Sequence, residues 1–324
     1  MSSKFFAVDS RLQLELEAVI EDAQAAFPQL APNQIAVTWI TYEPPYLVNT
    51  GGALSAEEFW QHRPNGASYR GVELVDPAGL VKLFYLVAAH VWLEQGMMQT
   101  SLETERAIAD TIVEPGHDAV SYIVDVLSGT TSGPAIPAGP FETWKSQRNI
   151  VNRYFAQLGW PELRAVNMNQ KIWSDGPYGR ERDFLGEAFE NRNLLTTEAI
   201  ARLFHSIVGG VSVTGARSQT MMKLLSKSLN PATHSANLDN QTIGFIGTGL
   251  PPTAKIWSKS GMSSQVRHDA AYIESERTHP YLLVVFTEGL ENSQDEALIP
   301  FVSKRIFEAS QQIFQADRPA KAVS

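Results

Sequence analysis

The chain contains no cysteine among its 324 residues. That excludes disulfides, thiolate nucleophiles and cysteine-ligated zinc. Positive charge is also scarce: 26 Lys and Arg face 35 Asp and Glu, for a formal net charge of -9. With no basic run anywhere, neither a nucleic-acid partner nor a membrane partner is expected. No stretch approaches the roughly 18 uninterrupted apolar residues of a spanning helix. The opening MSSKFFAVDSRLQLELEAV lacks the apolar core and small-residue cleavage site of a secretory signal, so a soluble, cytoplasmic protein is expected. The histidines show no metal-ligand spacing and no H-E-x-x-H. GTGLPP and IVGGVSV lack a phosphate-loop lysine, so neither a metal nor a cofactor is expected. Internal repeats and low-complexity tracts are missing too, and ADRPAKAVS reads as a frayed tail.

What is there is an ordinary globular composition, 44% hydrophobic and 19% charged. RLQLELEAVIEDAQAAF has apolar residues at helical spacing, and QIAVTWITYEP reads as a strand. NTGGALS and HRPNGASYRG read as loops. A buried helix runs from about Ala78 to Leu93. SLETERAIADTIV reads as a helix with a capping box at Ser101, and HDAVSYIVDVLS as a short amphipathic helix. FETWKSQRNIVNRYFAQLGW is a further helix, and NMNQKIWSDGPYGRERDFLG an irregular polar loop. LTTEAIARLFHSIVGG has a Thr cap and a Gly stop, and SQTMMKLLSKSL is helical. AKIWSKSG, VRHDAAYIES and YLLVVFTEG read as an antiparallel meander, followed by a last amphipathic helix. The early strand and the three late ones are expected to share one sheet, flanked by the terminal helices. This predicts a single α/β (α+β) domain with an α/β lobe over about 1–75 and 210–324 and a helical lobe over about 76–209.

Lys82 lies in the first turn of the buried helix, among Leu80, Val81, Leu83 and Phe84. A lysine there is costly unless it has a task or a partner; otherwise its stem packs and its amine reaches water. Three residues before it, on the same helical face, stands Gly79. Taken alone, Gly79 serves a tight turn after Pro77.

The lysine early in the buried helix, the later KSG and the stretches WSKSG, VRHDAAYIE and YLLVVFTEG together resemble the class A β-lactamases and the penicillin-binding D,D-peptidases. The likeness is to a β-lactamase-like serine hydrolase group known from cyanobacteria and other bacteria, over about Leu12 to Phe314. It implies three motifs. In S-x-x-K the serine attacks a carbonyl and the lysine helps to take its proton; the match is Gly79-Leu80-Val81-Lys82, with glycine at the nucleophile position. In S-D-N the match is Gly116-His117-Asp118, with the serine again a glycine and Asp118 expected to pair with Lys82. In K-T-G the match is Lys259-Ser260-Gly261, whose lysine and hydroxyl would hold a carboxylate, with Arg267 adding positive field. The omega-loop glutamate that activates the deacylating water has two candidates, Glu181 and Asp175.

Two function classes follow. One is a family member that has lost the acyl-serine mechanism and binds a carboxylate-bearing, small or peptide-like ligand in the family's cleft. The other is an amide or ester hydrolase in which Lys82 or His117 activates water, or a displaced serine attacks. Ser121, Ser263 and Ser264 are weak substitutes, because none has a lysine three residues on. A scaffold that merely keeps the fold is a third reading.

Overall fold

The computed structural model describes residues 4–42, 54–230 and 242–317. Most of NTGGALS and of the C-terminal tail lies outside them. The chain forms two compact units. One comprises Phe5–Val48, Glu57–Gly71 and Ser226–Ser324; the other comprises Met1–Lys4, Asn49–Ala56 and Val72–Leu225.

The first unit is built on a seven-stranded sheet. Its elements are β1 (Ala7–Val8), α1 (Ser10–Ala26), β2 (Ile35–Thr41), α2 (Ala56–Gln61), β3 (Asn65–Tyr69), β4 (Ser226–Lys227), β5 (Lys255–Met262), β6 (Val266–Glu274), β7 (Tyr281–Glu288) and a C-terminal helix, Leu298–Asp317. The strand order is β1-β3-β2-β7-β6-β5-β4. All pairs are antiparallel except β1 with β3. The early strand and the late meander therefore do share one sheet, joined where β2 pairs with β7.

Alternation along the strands sorts side chains onto two faces. Val37 and Trp39, Ile256, Ala271 and Ile273, and Leu283 and Val285 all join one core with Leu16 and Ile20 of α1 and Val302 and Ile306 of the C-terminal helix. Asp9 caps α1 by accepting the Arg11 and Leu12 amides. The Arg11 guanidinium reaches Asp317 and links the two terminal helices.

Strand β3 sits where the sequence reads as a loop. It has few β-branched residues for a packing reason. A side chain at Gly66 would put its Cβ 2.5 Å from Ile40 Cδ1 and 2.8 Å from Phe6 Cδ2. Only glycine lets those two close over the strand.

The second unit is helical: α3 (Lys82–Glu94), α4 (Leu102–Val113), α5 (Asp118–Ser128), α6 (Ala138–Arg148), α7 (Ile150–Gln157), α8 (Gly179–Leu185), α9 (Thr197–Val208) and α10 (Gly215–Leu225). It reaches Leu225 because α10 packs on α4 and α9. The long FETWKSQRNIVNRYFAQLGW helix breaks in two at Asn149, and the loop after it contains α8. Ser101 caps α4 through the Thr104 amide. The residue three on is Thr104, not a glutamate, and its hydroxyl donates to the Gln99 carbonyl (3.3 Å) instead of closing a capping box. Thr196 caps α9 through the Ala199 amide, and Gly209 follows its end. Among the described residues no helix is long and apolar enough to cross a membrane.

Candidate functional site

In the helical unit the first two motifs come together. Pro77 leads into a 3-10 turn, Ala78–Val81, that runs straight into α3. The Asp76 carboxylate accepts the Ala78 amide at 2.9 Å. Ala78 has φ +44°. That is the left-handed region, which a residue with a Cβ occupies at a cost of about 1–3 kcal/mol. Gly79, next in the chain, is not among the left-handed residues. Its glycine character is therefore not explained by the turn: the strain falls on the residue before it.

One turn on, Lys82 is 2% exposed, and its Nζ donates to the Gly116 carbonyl at 2.9 Å. Burial lowers its pKa to about 8. The expected Lys82–Asp118 pair does not form among the described residues. Asp118 is exposed at the first position of α5, where its carboxylate meets the positive end of the helix. The loop two residues earlier presents a backbone carbonyl instead. A Cβ at Gly116 would meet nothing within 4 Å, so the position has room for a side chain. His117 is the N-cap residue of α5 and is half-buried.

The two omega-loop acids stand in opposite settings. Asp175 is exposed in a bend. Glu181 is fully buried on α8, and its Oε1 accepts from Arg148 Nη2 at 2.5 Å and from Ser132 Oγ at 2.8 Å. The contacts continue into a closed ring. Arg148 Nη2 also reaches Asp125 Oδ1 at 2.9 Å, while Lys171 Nζ bridges Asp125 Oδ2 at 2.7 Å and Ser132 Oγ at 2.8 Å. Two cations and two carboxylates thus neutralise one another, tying the loop after α7 to α5 and α6.

In the sheet unit, Lys259, Ser260 and Gly261 occupy β5, opposite Ala270, Asp269 and His268 of β6. All three are buried. Neighbours in a strand face opposite sides, so Lys259 and Ser260 diverge. Lys259 shares its face with Gly261 and His268. Ser260 shares the other with Asp269 and Arg267.

Arg267 is thus not on the lysine's face. Its guanidinium is bound by the protein: Nε donates to the Ser293 carbonyl (3.0 Å) and Nη1 to the Gly244 carbonyl (3.2 Å). Nη2 lies 3.6 Å from Glu296, and the group stacks over Phe245 at 4.8 Å. It anchors Gly244 and the short helix Leu290–Gln294 against β6.

Sequence reasoning passed over two residues beside KSG. His268 is fully buried and stacked on Phe286 at 4.3 Å between ring centroids. Its Nδ1 meets the Thr287 amide (3.1 Å) and the Arg267 carbonyl (2.9 Å), so either tautomer finds a partner. Asp269 is buried on the other face and accepts the Ile246 and Ala270 amides, each at 2.9 Å. Burial, partly offset by those amides and by Lys259 and Lys227, raises its pKa to about 7. The period-two register from Lys259 could have picked out His268, but the sequence alone does not supply the pairing.

The fold is shared with solved β-lactamases and penicillin-binding proteins. A β-lactamase from Sphaerobacter thermophilus superposes with a TM-score of 0.59 at 16% identity, over 94% of this chain and 99% of that one. PBP-A gives 0.59 at 14% identity, over 95% and 98%. A PBP-A variant solved as an acyl-enzyme complex with penicillin G gives 0.62 at 13%, over 92% and 97%. At such identities the likeness speaks for the fold. No curated protein sequence matches the chain. The sequence profile of the beta-lactamase enzyme family matches residues 145–310, which is just over half of the chain and takes in Lys259-Ser260-Gly261. The chain belongs to the beta-lactamase enzyme family.

Proposed function

We propose that this protein is a β-lactamase-like family member that has lost acyl-serine chemistry and binds a carboxylate-bearing, peptide-like ligand, with Lys259 as the charged anchor. The observation that carries this reading is Gly79, one helical turn before Lys82, where the family's motif would place the attacking serine. Gly116 repeats the loss at the second motif. The surroundings remain: a strained Ala78, a buried Lys82 and a KSG strand. A lysine kept buried at a cost in stability is the pattern of a retained site.

The test is intact-protein mass after incubation with a panel of β-lactams and a fluorophosphonate, for the wild type and for Gly79→Ser. The reading expects no adduct on the wild type. An adduct there overturns it, because another nucleophile must be active. An adduct on Gly79→Ser alone shows that the loss is local. Binding of a carboxylate-bearing D-alanyl peptide is expected to weaken in Lys259→Ala with little change in thermal midpoint.

One observation favours a second reading, hydrolysis by activated water. With its pKa near 8, Lys82 is neutral in about a tenth of molecules at pH 7 and can accept a proton. Ester turnover that rises between pH 7 and 9 and disappears in Lys82→Met would establish it.

A further inference from the structure

Asp269 lies on β6 directly opposite Ser260, and next to Ala270, the cross-strand partner of Lys259. Asp269 is 1% exposed and Lys259 is 4% exposed. The carboxylate is fixed in place. Its Oδ2 accepts the Ile246 amide and its Oδ1 the Ala270 amide, each at 2.9 Å. Both oxygens are thus taken by backbone, and cations act on this group through space.

The charged groups around it are few. Lys227 of β4 pairs with Ile256 and so shares Asp269's face of the sheet. Lys259 stands one residue along on β5 and faces the other side. Arg267 donates to the Gly244 and Ser293 carbonyls, and His268 faces away against Phe286. The 3-10 turn Ile246–Gly249 has no titratable residue. The C-terminal helix meets that turn through Ser303 Oγ, which donates to the Ile246 carbonyl at 2.8 Å. Burial opposes the ionised carboxylate, whereas Lys259 and Lys227 favour it.

Charges need not touch to be coupled. Where burial excludes water, screening is weak, and groups on adjacent strands respond to each other's charge. An anion bound at Lys259 would cancel part of the positive field that helps to keep Asp269 ionised, and the carboxyl would then gain a proton. We propose that Asp269 is the charge-coupled partner of Lys259, so that a carboxylate ligand binds there together with a proton taken up by Asp269. For its ligand this inference rests on the reading given to Lys259 above. The linkage has a sign. Asp269 titrates at about pH 7, so binding weakens as pH rises through that value.

Two measurements on the full chain test it. The first needs no ligand: carbon NMR of the Asp269 carboxyl across pH, assigned by its loss in Asp269→Asn, for the wild type and Lys259→Met. The midpoint is expected to move up by about half a pH unit in Lys259→Met. An unmoved midpoint overturns the coupling. The second is calorimetry with acetyl-D-alanyl-D-alanine at about pH 7 in two buffers of different ionisation enthalpy. Net proton uptake on binding is expected in the wild type and is expected to disappear in Asp269→Asn. The wild-type affinity is expected to fall about threefold between about pH 6 and 8. Binding without proton uptake, or uptake that Asp269→Asn leaves intact, overturns the proposal. A shifted midpoint with no peptide binding upholds the coupling and overturns the reading of Lys259 as a carboxylate anchor instead.

Discussion

Lys82 and Gly116 are joined by a single hydrogen bond, Nζ to carbonyl oxygen, at 2.9 Å. A carbonyl accepts that bond from an ammonium and from a neutral amine alike, so it does not enforce the charge. Burial then decides, and the pKa falls to about 8. In the unfolded chain the lysine titrates near its ordinary 10.5. Between about pH 8 and 10.5 the unfolded state therefore holds the extra proton, and stability rises with pH. Below pH 8 the full penalty applies, on the order of 3 kcal/mol. Lys82→Met is expected to raise the urea midpoint at pH 7 and to remove the upward slope between pH 8 and 10. A variant no more stable than wild type at pH 7 would refute this.

Ala78 gives a prediction of opposite character. Its φ of +44° suits glycine better than alanine. Ala78→Gly is expected to change stability by only about 1 kcal/mol, toward greater stability. The measurement is the urea midpoint at constant m-value. A clear loss would show that the Ala78 methyl makes contacts worth more than the strain.

The ring through Arg148 predicts strong coupling. Arg148 is 1% exposed and Glu181 is 0% exposed, so removing the guanidinium leaves a buried carboxylate without its counter-charge. Arg148→Met is expected to cost about 3–5 kcal/mol. Arg148→Met with Glu181→Met is expected to cost less than the sum of the two single changes. Additive losses in chemical denaturation would argue that the ring does not act as a unit.

Asp269 titrates in the opposite sense to Lys82. Its pKa rises from 3.8 unfolded to about 7 folded. Between those values the folded state holds the proton, so its contribution to stability falls as pH rises from about 4 to 7. His90 and His205, lowered by burial from 6.5 to about 4 and about 3, push the other way as they shed protons. The Asp269→Asn curve minus the wild-type curve isolates the aspartate. That difference is expected to grow in favour of the variant up to pH 7 and then level off. A flat difference would contradict the assignment.

Much of the fold was legible because burial writes a period into the sequence. β-Branched and aromatic content marked β2, strand-like runs between short turns marked the meander, helical spacing marked α1, and caps marked α4 and α9. Strand β3 escaped because its glycine answers to Phe6 and Ile40, which lie elsewhere in the chain. The site was half legible. Lys82 stood out by its place in an apolar helix with Gly79 three residues before it, and Gly116 only through the resemblance to the family's motifs. Arg267 was misassigned because strand faces depend on pairing register, which local sequence does not encode. The ring of Asp125, Ser132, Arg148, Lys171 and Glu181 was invisible for a related reason. Its members come from five separate stretches, and apart from Glu181 none is marked by any motif.

The pairing of β2 with β7 sets a timetable for synthesis. Ile35 meets Thr287 and Thr41 meets Tyr281, so the middle of the sheet is stitched from opposite ends of the chain. While the ribosome is still making the helical unit, β2 has no long partner except β3. Its fully buried residues must wait, exposed, for roughly 240 residues of chain to follow. Completion of the sheet is therefore a late step in synthesis, because β7 must emerge before β2 gains its long partner.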